Sequence, residues 1–213
     1  MDQNRVSKAV TLSLKGVLYD HPEGNDETLA ACAGNERLIP AATLDPRKYI
    51  GDESTPKTLE RAGFKLLRLF PDLQGWPITY APVRSILGAL RETNMPLLIS
   101  APTYGMATEI ADLVAGWSFP VVLSGVGYWN MSEAIVLMRA QENIFVETSY
   151  LDSPDAIEIL VREVGSDRVL FGSNTPVTYF RGPYLSVVHS TVPERDKEAI
   201  FYLNAQRVLG GAI

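Results

Sequence analysis

Short apolar runs rich in β-branched residues recur along this chain, each followed by a stretch with helical spacing, and that alternation restricts the fold to serial βα units. The runs are Val6 to Leu14, Leu38 to Thr43, Lys65 to Phe70, Leu97 to Ser100, Val121 to Ser124, Ile144 to Thr148 and Val169 to Phe171. Their ends fall about 24 to 30 residues apart, near the ~31 per unit of a barrel that builds eight units from about 250 residues. Continuous runs such as LLI, PVVL and RVLF predict parallel strands buried on both faces, because a sheet with one wet face would alternate. The expected fold is a TIM-barrel-like α/β barrel of seven recognisable units. An open doubly wound sheet is the competing architecture.

Helix starts keep the same rhythm. Thr55-Pro56 and Ser153-Pro154 each place a capping hydroxyl before a proline at the first helical position. Asn25 ahead of Asp26-Glu27, Ser132 ahead of Glu133, and Thr191-Val192-Pro193 predict three further starts. The last opens a helix through Leu209 that Gly210-Gly211 ends. Proline and glycine lie at the junctions and no low-complexity tract occurs, so residues 1–213 read as a single domain.

A net charge of −6, with no long Lys/Arg run, argues against nucleic acid or an anionic membrane as partner. The lone Cys32 can form no internal disulfide and fits a reducing compartment. MDQNRVSKAV lacks a signal-peptide core and no uncharged apolar run of 18 residues occurs, so a soluble cytoplasmic protein is expected. No cofactor is expected either. Leu123-Ser-Gly-Val-Gly-Tyr-Trp129 contains a GxG without the third glycine of a dinucleotide fingerprint, and Phe171-Gly-Ser-Asn-Thr175 lacks the second glycine of a nucleophile elbow.

Six segments, in order, resemble one family. Arg168-Val-Leu-Phe-Gly-Ser-Asn-Thr-Pro176 looks like the last-strand signature of amidohydrolase-related proteins, usually written with Asp where this chain has Asn174. Gly63 to Pro71 is similar to the family's fourth strand, Met95 to Ser100 to its fifth, Pro120 to Ser124 to its sixth and Asn143 to Ser149 to its seventh. Ala199 to Leu209 is similar to the closing helix, in which an Asn-Ala pair precedes Arg and an apolar residue.

The departures bear on chemistry. The resemblance implies a metal held by a His-x-His pair on the first strand, a His after each of strands five and six, and an Asp after strand eight. This chain matches none of them. Val6 to Leu14 aligns best with the family's second strand, so the first is expected to be absent. Ser100 stands in one His place, Ser124 or Gly125 in the other, and Asn174 in that of the Asp. Hydroxyl and carboxamide oxygens are poor donors to a divalent transition metal, so no metal is expected.

The remaining candidates stand at expected strand ends, where barrels project their chemistry. Glu147 is the leading acid or base, or else a structural partner of Arg68. His21, in the expected loop Tyr19 to Glu23, is a general base or a solvated loop residue. Asn174 completes the catalytic set as a hydrogen-bonding group, since it cannot titrate. Arg68, inside an apolar strand, either pairs with Glu147, Asp45 or another acid, or clamps a small anionic ligand such as a carboxylate. Ser100, Ser124, Tyr104 and Tyr150 are the other substrate-binding candidates. Tyr104 and Tyr150, with Tyr128 and Trp129, line an apolar pocket or a subunit interface. Asp45-Pro46 reads as a turn, and His189 as structural or exposed.

Three functional readings follow. The first is a catalytically impaired or non-catalytic binding or assembly protein. The second is a metal-independent hydrolase, or a decarboxylase-like carbon–carbon lyase, acting on a small carboxylate or lactone. The third is a barrel completed by homo-oligomerisation, because seven units leave two strand edges exposed.

Overall fold

A parallel strand sandwiched between helices must hide both faces, so its sequence carries no alternation and its ends carry the polar groups. The computed structural model describes residues 1–49 and 55–211. Among them seven strands form: β1 (Ala9–Thr11), β2 (Leu38–Thr43), β3 (Leu66–Leu69), β4 (Leu97–Ser100), β5 (Val121–Ser124), β6 (Ile144–Glu147) and β7 (Val169–Leu170). They follow one another in chain order with helical segments between them, as a barrel-like βα series requires. β2, β4 and β5 match the sequence expectation, whereas β1 is much shorter than Val6 to Leu14. The chain divides into two compact units, Met1–Leu98 and Ile99 onward.

In the first unit β1 pairs parallel with β2, Ala9 opposite Leu38, and β2 pairs parallel with β3, Ala41 opposite Leu66 and Thr43 opposite Arg68. Helix Ala81–Leu90 buries Val83, Ile86, Leu87 and Leu90, the spacing of one helical face. Leu44, Leu67, Leu69 and Ile78 are buried completely. β1 stops early because Ser13 caps a short helix, Leu14–Leu18, its hydroxyl accepting from the Lys15 amide.

The next helix, His21–Cys32, begins earlier than expected. Asp20 caps it by accepting from the Glu23 amide at 3.0 Å, with Pro22 in the first turn. His21 is therefore the first residue of a helix, not a loop residue, and Asn25 lies inside that helix instead of capping it. The two helices approach so closely that a Cβ on Gly24 would stand 2.1 Å from the Gly16 nitrogen. Asn25 is buried and grips the end of β2: its Nδ2 donates to the Thr43 carbonyl and its Oδ1 accepts from the Thr43 amide, both at 3.0 Å. Helix Thr55–Ala62 starts on Thr55 itself. The residues just before it lie outside those described.

In the second unit β5 pairs parallel with β6, Val121 opposite Ile144, and β6 with β7, Glu147 opposite Leu170. Every side chain of β5 and β6 is buried. Ser153 does not cap a helix: it opens a turn, and helix Ala156–Val164 starts three residues later behind Asp155, whose φ is 60°. Ser132 likewise lies within helix Met131–Ala140, which starts behind Asn130. A helix that the sequence reading lacked, Arg181–His189, is held by an aromatic cluster. Phe180 sits 5.6 Å from Phe171 and 5.5 Å from Tyr184, and Phe201 sits 5.2 Å from Phe171.

The closing helix runs as α-turns over Glu194–Glu198, a π segment over Ala199–Leu203 and α-turns over Asn204–Val208. Within the π segment the Ile200 carbonyl accepts from the Phe171 amide at 2.8 Å, while Asn204 Nδ2 donates to Ser166 and Val169 carbonyls at 2.7 and 2.8 Å. Of the two strand edges expected to want partners, the one at β7 thus has two main-chain groups paired within the chain. The helix itself supplies the partners a further strand would have offered. Among the described residues no helix is long and apolar enough to cross a membrane.

Replacing Asn25 with Leu leaves the Thr43 amide and carbonyl without their side-chain partner. We expect the unfolding free energy to fall by about 2–4 kcal/mol, since each stranded buried group costs about 1–3. Urea denaturation measures this, and a loss under about 0.5 kcal/mol, the range of ordinary surface changes, would contradict it.

Candidate functional site

In the first unit the end of β2 runs straight into polar side chains. Asp45 caps a 3₁₀ turn, Pro46–Lys48, as its place before proline suggested. Its Oδ1 accepts from Arg47 N and Nε at 3.0 and 2.9 Å, and its Oδ2 from Arg47 Nη2 at 2.9 Å. Burial raises the Asp45 pKa, but the Arg47 hydrogen bonds and the charges of Arg47 and Lys48 outweigh it, leaving the carboxyl below its ordinary value. Asp45, one of the acids offered as a partner for Arg68, is thus bonded to Arg47, a residue the sequence reading passed over. Arg68 lays its guanidinium carbon 4.7 Å from the centre of the Phe70 ring, a cation–π contact.

His21 is half-buried. Its Nδ1 is shielded from solvent and has no hydrogen-bond partner among the described residues. Burial lowers the imidazole pKa; Asp20 and Asp45 oppose that shift, Lys48 adds to it, and the net result is below the ordinary value. Burial thus disfavours the charged imidazole. Gln74, also missed from sequence, is buried in the same unit: its Nε2 donates to the Val17 carbonyl at 3.1 Å and its Oε1 accepts from Trp76 Nε1 at 2.8 Å.

In the second unit Glu147 closes β6 and is 7% exposed. Its Oε2 accepts from the Ser149 amide at 2.8 Å and its Oε1 from the Ser149 hydroxyl at 2.6 Å, so both oxygens are engaged two residues down the chain. The carboxylate fits against Gly172, where a Cβ would stand 1.7 Å from Oε2. Thr148 Oγ1 fixes that glycine by donating to its carbonyl at 3.2 Å and accepting from its amide at 3.1 Å. Asn174, with φ 47°, donates from Nδ2 to the Tyr150 hydroxyl at 3.2 Å. Two candidates from different strand ends thus meet directly.

Ser100 and Ser124 are both buried. The Ser124 carbonyl accepts from the Ala101 amide at 2.7 Å, which brings the two strand ends side by side. Asn130, fully buried and missed from sequence, knits the adjoining loop: Nδ2 donates to the Ala101 carbonyl at 2.8 Å and Oδ1 accepts from the Gly127 amide at 2.9 Å. Trp129 donates from its indole to the Pro102 carbonyl at 2.7 Å. Tyr104 and Tyr128 are about three-quarters exposed, at 75% and 72%, so they present rings to solvent and do not join the serines.

Among the described residues no three His, Cys, Asp or Glu side chains gather as a metal site. Ser100, Ser124 and Asn174 offer neutral oxygens, and the Glu147 carboxylate is occupied by Ser149. This donor set does not fit a tightly held divalent transition metal.

Two outcomes test this geometry. Gly172→Ala forces its Cβ onto the Glu147 carboxylate, and we expect a stability loss of about 2–4 kcal/mol, at the upper end for overpacking. In a Glu147→Ala background the same change costs little, and equal costs in both backgrounds would refute the contact. For His21, a folded pKa below the ordinary 6.5 means the unfolded chain binds more protons. Its contribution is intact above about pH 6.5 and stability falls as pH drops through that value toward the folded pKa. His21→Gln should therefore flatten the urea midpoint between about pH 6.5 and 5, and an unchanged slope would count against a buried imidazole.

The sequence profile of the amidohydrolase family matches residues 20–211, while no curated protein matches significantly. A 2,6-dihydroxybenzoate decarboxylase from Rhizobium superposes with a TM-score of 0.74 at 16% identity, covering 99% of this chain and 86% of the other. A 5-carboxyvanillate decarboxylase from Novosphingobium aromaticivorans, solved with manganese, gives 0.72 at 19% identity over 99% and 78%. A probable 2-pyrone-4,6-dicarboxylic acid hydrolase from Acinetobacter baumannii, with citric acid bound, gives 0.72 at 16% over 98% and 85%. These likenesses establish the TIM-barrel-like fold, and the profile match across nearly the whole length places this chain in the amidohydrolase family.

Proposed function

We propose that this chain is an amidohydrolase-family protein that has left metal-dependent catalysis and serves to bind a small carboxylate-bearing ligand. One observation carries the reading: Glu147, the strand-end carboxylate best placed to work as acid or base, gives both oxygens to Ser149. The two bonds tie the carboxylate to its own loop, as a brace would be tied, while each oxygen keeps a second acceptor site for a ligand. Neutral donors at Ser100, Ser124 and Asn174 support the same view, because they can hydrogen-bond a ligand without holding a cation. The anionic ligand class rests on the dihydroxybenzoate and the pyrone dicarboxylic acid named for the structural neighbours, and Arg68 has the planar fork that suits carboxylates.

A second reading has its own support. Burial favours the uncharged imidazole at His21, with the charges of Asp20 and Asp45 opposing it, and such a group suits a metal-independent hydrolase or decarboxylase-like enzyme. General acid–base groups alone supply about 10²–10⁴-fold.

One experiment separates the two. Purified protein is offered zinc and manganese, assayed for bound metal, then screened for turnover of hydroxybenzoates, pyrone carboxylates and lactones. The binding reading expects no stoichiometric metal and no turnover above background, with carboxylate affinity weakened about tenfold or more in Arg68→Met. Turnover that falls by about 10² or more in His21→Gln would favour the enzyme. Stoichiometric tight metal would overturn both.

A further inference from the structure

β1 stands at one end of the strand order, with β2 as its neighbour. Its hydrogen bonds fix which of its main-chain groups look outward. The Ser7 carbonyl accepts from Arg37 Nε at 3.0 Å, the Ala9 amide donates to the Arg37 carbonyl at 2.9 Å, and the Ser13 amide donates to Thr28 Oγ1 at 2.8 Å. Main-chain groups of successive residues in a strand point to opposite sides, so those of Lys8, Val10 and Leu12 face away from β2. No described residue pairs with them.

Side chains on this rim are as open as its backbone. β5 and β6 are buried throughout, whereas Val10 is 40% exposed and Lys8 is exposed beside it. Lys8, Val10 and Leu12 lie on one face by the two-residue period of a strand. Leu14 and Leu18, one turn apart on the short helix that follows, are exposed as well. Residues 6–14 carry one lysine and no acid, so the net charge of −6 does not bear on this rim.

An open strand edge is complemented by another open strand edge. At β7 the Phe171 amide and the Val169 carbonyl are already paired, which leaves β1 as the end strand with outward groups to offer. Two copies of β1 related by a two-fold axis must meet antiparallel. With the axis at Val10, the two Val10 residues exchange both main-chain hydrogen bonds, the closely bonded pair of an antiparallel ladder. Lys8 then lies opposite Leu12 of the second copy, and so in reverse. Lysine on an edge commonly guards it by repulsion between copies; here its cation is set apart from its own counterpart, and its methylene stem covers a leucine.

We propose that the chain forms a two-fold dimer in which β1 of each copy pairs antiparallel with β1 of the other, centred on Val10. The dimer is independent of the ligand reading above, since none of its residues belongs to the strand-end site.

The full chain is followed by sedimentation equilibrium over a concentration series reaching about 1 mM, which detects even millimolar association, with amide hydrogen exchange measured at both ends of the series. The mass is expected to rise from 23.4 kDa toward twice that value, while the Lys8, Val10 and Leu12 amides slow with concentration and the Ala9 and Thr11 amides, already bonded to β2, do not change in step. Proline is tolerated on an edge strand where its nitrogen faces outward. Val10→Pro should therefore keep the parent's melting temperature at dilutions where both are monomeric, and weaken dimerisation about thirtyfold or more through loss of the two central bonds. If Val10→Pro fails to fold, Val10→Lys, which sets two cations directly opposite each other, weakens it in the same way. Three results would overturn the assignment: a monomer throughout the series, which gives the edge to solvent or to another protein; a dimer as tight as the parent's in the folded variants, which puts the interface elsewhere; or dimerisation that leaves exchange at Lys8, Val10 and Leu12 unchanged.

Discussion

Main-chain groups where strands stop cannot be left dry and unpaired, and this protein meets that demand chiefly with buried side-chain carboxamides. Asn25 grips both main-chain groups of Thr43, Asn130 ties Ala101 to Gly127 and Asn204 holds Ser166 and Val169. Each bridges segments 18 or more residues apart in at least one bond, so each fixes the angle at which a helix meets the sheet as well as satisfying a polar group. An amide suits this work because it donates and accepts from one planar group. Removing any of them strands two main-chain partners at once.

A similar closure shapes the strand ends, where a barrel would place its chemistry. Glu147 and Asp45 are both buried carboxylates, yet each is closed by a neighbour two residues on: Ser149 for one, Arg47 for the other. Local closure of this kind makes a carboxylate a brace for its own loop. His21 is different, because its buried nitrogen is left open while the acids around it act only through their charge. One structural neighbour is a decarboxylase solved with manganese, whereas Ser100, Ser124 and Asn174 here are neutral groups, and the binding and acid–base readings part at that contrast.

Much of the fold is legible in the sequence, for a physical reason. Strands buried on both faces print as continuous apolar runs, and β2, β4 and β5 end where those runs end. β1 does not, since Ser13 caps a helix within what looks like one extended segment. The helix start at Asp20 is spelled out as Asp-His-Pro, but the short apolar run before it makes the same residues look like a loop after a strand. Ser153 fails as a cap because Asp155 adopts a left-handed conformation and delays the helix. The site is less legible. Glu147, Asn174 and Tyr150 can be nominated from strand ends, and Asn174 does meet Tyr150, but Arg47, Asn130 and Gly172 acquire their roles only through packing. No periodicity marks a glycine whose missing side chain is the seat of a carboxylate on the neighbouring strand.

The π segment of the closing helix has a wider consequence. By widening one turn it turns the Ile200 carbonyl sideways onto the Phe171 amide, and Asn204 takes the Val169 carbonyl beside it. β7 is thus blunted by a helix, with the Phe171 amide and the Val169 carbonyl already paired. An unpaired strand edge is where a further strand would add, and at β7 a helix stands in that place. A register change in a helix here does for two main-chain groups what an eighth strand would otherwise do.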